Sequence, residues 1–226
     1  VLLIPALVTL SLLAVARVTY PNPDDLAARR ADVHAQGLRP DFWLYLCAVG
    51  LVAASFADFS LMAFHFATAH TVDPSLIPIF YSAAMGVGGL GSLVFGRAFD
   101  RFGITVLVPL TVGSALFAPF AFLGDSGLAF VGTLLWGAGM GVHESIMAAA
   151  VAPMVPSARV ASAYGLFNLV YGLTWFAGSA AMGLLCDFSI PALVGFSVGV
   201  ELLAVPLLLA ARAARAARRG SEASVP

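Results

Sequence analysis

Gly96-Arg97-Ala98-Phe99-Asp100-Arg101-Phe102-Gly103 separates two long apolar runs. Three charges and two glycines fall within these eight residues, whereas 76–96 and 104–123 carry no charged side chain. About 20 mostly apolar residues suffice for a helix to cross a bilayer. The octet therefore reads as a tight polar turn between two crossings. Gly96 and Gly103 permit a close turn and close helix contact. Asp100 is suited to a neighbouring helix N-terminus, where the peptide dipoles favour an anion. Arg101 anchors the turn on one membrane face.

The rest of the chain has the same character. Its 226 residues have a mean hydropathy of +0.97, with 61% hydrophobic and 10% charged residues. A soluble domain averages about 45–50% apolar and roughly 25% charged. These values exclude a soluble enzyme and a disordered chain. A net charge of -1 without a basic surface cluster argues against nucleic-acid binding. All eleven basic residues are arginine, so lysine Schiff-base chemistry is excluded. The two cysteines, Cys47 and Cys186, fall at opposite ends of the membrane in the layout below, so no disulfide is expected. No cofactor or metal is expected.

Seven stretches read as crossings: residues 1–16, 42–67, 76–96, 104–123, 127–151, 161–185 and 191–211. The arginines order them. Arg17, Arg29, Arg30 and Arg39 follow the first; Arg97 and Arg101 follow the third; Arg159 follows the fifth; Arg212, Arg215, Arg218 and Arg219 follow the seventh. The alternate loops, 70–75, 124–126 and 187–190, contain none. All eleven thus fall on one side, which the positive-inside rule makes the cytoplasm. The expected fold is an all-α integral membrane protein with seven transmembrane helices and a cytoplasmic C-terminus. Residues 1–17 form the first helix and 18–41 a cytoplasmic loop with a short surface helix over 24–36. Residues 42–211 form a six-helix bundle. Residues 212–226 form a cytoplasmic tail that prolongs the last helix briefly and then loses order. The chain opens at Val1 inside an apolar run and reads as a piece of a longer protein.

The octet resembles the G-x-x-x-D-R-x-G signature of the major facilitator superfamily, found between the second and third helices of each six-helix half. Here it lies between the second and third crossings after the long loop. Ile104 and Thr105 follow where the family's loop continues with basic residues, as in the family's C-terminal half. Pro153-Met154-Val155-Pro156-Ser157-Ala158-Arg159-Val160-Ala161-Ser162-Ala163-Tyr164-Gly165 resembles the family's link from tenth to eleventh helix. The resemblance covers essentially the whole chain. It implies a six-helix C-terminal bundle preceded by the sixth helix of the other half. Gly96, Asp100, Arg101, Gly103 and Arg159 would then belong to conformational-gating loops. Gly96-x-x-x-Asp100 recurs as Gly183-x-x-x-Asp187, an echo of the inverted repeats the family implies.

Ionisable side chains at the bilayer centre cost about 2.5–3.5 kcal/mol on insertion scales, so those within spans are candidate functional groups. Ser55, Asp58, Met62 and His65 share one face of a continuous second helix. Ser55 and Asp58 are taken as cavity residues, and His65 fits either the cavity or the membrane interface. Glu144 is first choice for a proton- or substrate-binding group. It lies about 13 Å of helical rise from Pro153, with Gly137 and Gly141 making room on its face. His143 is its partner or a packing residue. Tyr164, Asn168, Tyr171 and Trp175 form a second polar stripe; Asn168, Tyr171 and Trp175 are taken as site residues, joined by Tyr81 from the third span. Trp43 and Trp136 fit an interface anchor or a cavity residue equally. Glu201, on the helix the resemblance makes peripheral, is assigned to packing or subunit contact. Ala84, Gly88, Ser92 and Gly96 form a small-residue ridge for close helix approach. Pro109 and Pro119 are expected to kink the fourth span.

The expected function is therefore part of a secondary active transporter in the plasma membrane. It would move a small solute by alternating access, coupled to protons, with the other half of the chain as its partner in the lipid bilayer. The alternative is a seven-helix receptor or another non-transporting membrane protein. Against a receptor, the last span lacks a lysine and an N-P-x-x-Y-like end, and the outer loops lack a cysteine pair. No Ser–His–Asp arrangement or His cluster gathers at one depth, so an enzyme is not expected.

Overall fold

The computed structural model describes residues 38–223, with side chains to residue 217, and residues 11, 12, 14, 15, 17 and 19. The chain divides into two compact units, Val1–Gln36 and Gly37–Pro226. The expected first crossing, the loop and its surface helix fall largely outside the described residues; those described between 11 and 19 are helical. The second unit is built from α1 (Pro40–Ser55), α2 (Phe59–Thr68), α3 (Ile77–Phe102), α4 (Leu107–Ser114) and α5 (Phe117–Leu123). It continues with α6 (Ser126–Val142), α7 (Val160–Phe188) and α8 (Ile190–Ala223). Among the described residues there is no strand.

Among the described residues, four stretches are long and apolar enough to cross a membrane: Pro40–Thr68, Ile77–Leu123, Ser157–Phe188 and Ile190–Ala217. Ile77–Leu123 has 47 residues, about twice what one crossing needs, and Gly103 interrupts it. Gly103 adopts φ 62° and ψ −150°, a backbone region that essentially only glycine occupies. Large apolar side chains such as Leu93, Leu173, Phe176 and Phe188 stand exposed on α3 and α7. Water disfavours such a surface and lipid accepts it. The chain is an integral membrane protein.

The second predicted span is not one helix. It unwinds over residues 56–58, between α1 and α2. The expected stripe of Ser55, Asp58, Met62 and His65 therefore does not exist, because helical spacing fails across the gap. Met62 is wholly buried in apolar packing, and His65 is buried with its ring 5.1 Å from that of Phe122. The fourth span breaks as its prolines predict. Pro119 cannot donate to the carbonyl of Ala115 and crowds it, and α4 and α5 part at residues 115–116. Pro109 stands in the same relation to Thr105, which lies in the tight turn Gly103–Val106.

Backbones approach most closely at two crossings. In α3 and α6, a methyl group on Gly137 would overlap the Ala84 backbone, and one on Gly88 would stand 2.7 Å from the Gly137 carbonyl. Ser92 Oγ lies 3.2 Å from the Gly141 carbonyl at the same crossing. The Ala84–Gly88–Ser92 part of the predicted ridge is thus in close contact. In α1 and α7, Gly178 presses on the Ala54 backbone. The last helix corrects the expected tail: α8 continues through residues 212–223 rather than losing order soon after 211. Ala210-Ala211-Arg212-Ala213-Ala214-Arg215-Ala216-Ala217 is built from strong helix formers. Of the two readings of Glu201, the structure agrees with packing. It has no exposed surface and lies inside the unit, not at a subunit contact.

Gly137→Ala is expected to destabilise the protein by about 1–3 kcal/mol through overpacking. Gly86→Ala, which meets open space, is expected to gain up to about 1 kcal/mol of helix propensity. Thermal unfolding of the two variants in detergent measures the contrast.

Candidate functional site

The unwound residues 56–58 are the centre of the site. Phe56 and Ala57 are fully buried, and carbonyls freed from a helix in an apolar interior need donors. Three other helices supply donors to this region. Trp136 Nε1 on α6 donates to the Ala57 carbonyl at 2.8 Å. Ser197 Oγ on α8 donates to the Ser55 carbonyl at 2.8 Å. Trp175 Nε1 on α7 donates to the Asp58 carboxylate at 2.7 Å. Asp58 is half-buried and stands directly before α2; its carboxylate does not cap that helix but turns to Trp175.

A second irregularity faces the first. After α6 the chain widens into a π-helical turn, His143–Met147. Such turns insert an extra residue into a helix and are frequent at functional sites. Here His143 is buried while Glu144, the next residue, is exposed. His143 Nδ1 is 3.2 Å from the Tyr171 hydroxyl. Its ring meets Tyr171 and Trp175 edge-on, each with centroids 6.1 Å apart. It also packs at 4.4 Å on Phe56 of the unwound segment. Tyr171 and Trp175 lie one helical turn apart with ring centroids at 5.3 Å. At the end of the turn, Tyr45 donates to the Met147 carbonyl at 2.6 Å.

The structure thus brings together four of the predicted residues, Asp58, His143, Tyr171 and Trp175, with Glu144 exposed beside His143 in the chain. Tyr81 joins at a remove, its ring 4.7 Å from Phe59, which packs on Trp136. Asn168 shares α7 with Tyr171 and is exposed. Ser55 is fully buried, and its hydroxyl bonds the Val52 carbonyl of its own helix. Trp136, left open by the sequence, is buried and holds the break; Trp43 is 47% exposed. Sequence reading missed Phe56 and Ser197, because neither carries a charge or a breaker signal.

The glycine-flanked octet lies elsewhere. Asp100, Arg101 and Gly103 line a cleft of about 550 Å³ together with Pro153, Arg212 and Arg215. Arg101 sits over the ring of Phe102 at 5.2 Å. Gly96 meets open space, and Arg159 ends the short turn Ser157–Arg159 that leads into α7.

Trp136→Phe is expected to destabilise the protein by about 1–3 kcal/mol, because it leaves the buried Ala57 carbonyl without a partner. Trp175→Phe should cost less, since half-buried Asp58 retains access to other partners. Denaturation in detergent, followed by circular dichroism, distinguishes the two.

Comparison with known proteins adds independent information. The sequence profile described as Major Facilitator Superfamily matches residues 1–179. An uncharacterised protein of Mycobacterium bovis and uncharacterised proteins of two Mycobacterium tuberculosis strains are each 36% identical to the chain over 180 residues. The aligned region covers 80% of this chain and 44% of each relative. The chain thus spans less than half the length of these curated relatives. No solved structure matches it.

Proposed function

The chain belongs to the major facilitator superfamily, and on that premise we propose that it forms the C-terminal part of a secondary active transporter in the plasma membrane. It moves a small solute by alternating access, rocking against the other half of the parent protein about a site near the membrane midplane. Seven crossings, with the octet, the 153–165 link and the C-terminus in the cytoplasm, follow from the arginine distribution.

The observation that carries this reading is Asp58, a carboxylate at an unwound point of a membrane helix, held by Trp175, whose ring packs on Tyr171 and His143. Interrupted helices mark substrate and ion sites in transporters, because irregular backbone is tolerated only where protein or a cavity surrounds it. A carboxylate on the indole N–H of Trp175, with Glu144 exposed beside His143 in the chain, suits a proton, a cationic group of the solute, or both in turn. A cation is attracted by the carboxylates and by the π faces. His143, Ser55, Asn168 and Tyr81 complete the proposed binding region. The loop containing Gly96, Asp100, Arg101 and Gly103, with Arg159, controls the inward-facing end.

The test uses the full-length protein in proteoliposomes under a pH gradient, with a panel of radiolabelled small solutes. Glu144→Gln and Asp58→Asn are each expected to reduce gradient-driven transport at least tenfold while membrane insertion and thermal stability persist. Transport at the wild-type rate in both variants would contradict the assignment.

A further inference from the structure

We propose that Glu201 is a second protonation site, a neutral carboxylic acid on the contact between α4 and α8, apart from Asp58 and Glu144. The assignment goes beyond the transport reading and does not depend on the solute.

Glu201 has no exposed surface. Its Oε1 lies 2.5 Å from Ser114 Oγ, and the same Ser114 oxygen lies 3.1 Å from the Thr111 carbonyl. A serine hydroxyl has one hydrogen to give. A protonated carboxyl resolves the arrangement: it donates to Ser114, and Ser114 donates to Thr111. An ionised carboxylate would compete with the Thr111 carbonyl for that one hydrogen. It would also hold charge on Oε2, which is buried and has no hydrogen-bond partner.

Among the described residues, the elements that pack most on α8 carry no cation. They are α1, α4, α5, α7 and the turn Gly103–Val106, and none contains a lysine, arginine or histidine. The titratable groups of α1 are Asp41, Tyr45 and Cys47, with Asp58 beyond its end; those of α7 are Tyr164, Tyr171, Cys186 and Asp187. None of these is a cation. On α8 itself, Arg212 and Arg215 lie about 17 and 21 Å of helical rise away. A buried charge without a partner is strongly disfavoured, so the closed contact holds the acid form. Ser197, four residues before Glu201, donates to the Ser55 carbonyl at the break. Loss of the Glu201 proton to water would thus require α8 to part from α4, and it would disturb the helix that supports the unwound segment.

Infrared spectroscopy of the full-length protein in liposomes at neutral pH tests the proposal, using the difference between wild type and Glu201→Gln. The expected result is loss of a carboxylic C=O band above amide I, a band that moves to lower frequency in D₂O. Ser114→Ala should shift that band without removing it. Loss of carboxylate bands instead would overturn the assignment. If Glu201→Gln fails to insert, Ser114→Ala decides alone: a shifted carboxylic band supports the site, and an unchanged spectrum above amide I overturns it.

Discussion

Donors from three helices converge on a break in the chain, two on backbone carbonyls and one on a carboxylate, and much of the structure is arranged around that requirement. A carbonyl outside a helix and away from water must be paired, because leaving it bare costs about 1–3 kcal/mol. Trp136 pairs Ala57, Ser197 pairs Ser55, and Trp175 takes the Asp58 side chain. These residues come from α6, α8 and α7, so α6–α8 are all registered against residues 55–58. Phe56 fills the space beside them, with its ring 4.7 Å from Phe117 and 4.4 Å from His143. The same contacts that hold the break open therefore position the carboxylate that it presents.

Close helix crossings make this registration possible. An indole on α6 reaches the Ala57 carbonyl while α6 lies directly on α3, and the glycines at 88, 137 and 141 permit that approach. On the other flank Gly178 lets α7 lie on Ala54, which carries Trp175 to Asp58. Small residues thus fix where the long aromatic donors can end. The π turn has a comparable logic: His143 is buried against Tyr171, the adjacent Glu144 is exposed, and Tyr45 satisfies the Met147 carbonyl.

Much of the fold was legible because it depends on local pattern. Uninterrupted apolar runs, the arginine layout and the glycine-flanked octet are visible without tertiary knowledge. So are the proline break in the fourth span and the small-residue ridge of α3. Asp58, His143, Glu144, Tyr171 and Trp175 are recognisable as polar groups in apolar segments, and Asp58, His143, Tyr171 and Trp175 do come together. The break itself was not legible. Residues 53–58 contain no glycine or proline, and the groups that stabilise an open backbone there are 79, 117 and 142 positions away. Helical periodicity fails at this point, so Ser55 and His65 do not share the face that an unbroken helix would give them. The π turn leaves no compositional mark. The tail was misread from its small and polar end, although its alanines favour the helix that forms. Glu201 was judged peripheral from its place in the chain order, yet α1, α4 and α5 pack around its helix.

The central claim is that α1 and α2 are separate helices joined by a tethered carboxylate. An electron cryo-microscopy map of the whole protein, resolving side chains around residues 52–62, tests it most directly. The account predicts unwound density over 56–58, with the Trp136 and Trp175 indole nitrogens at hydrogen-bond distance from the Ala57 carbonyl and the Asp58 carboxylate. A continuous α-helix from Pro40 to Thr68, with both indoles directed elsewhere, would contradict it.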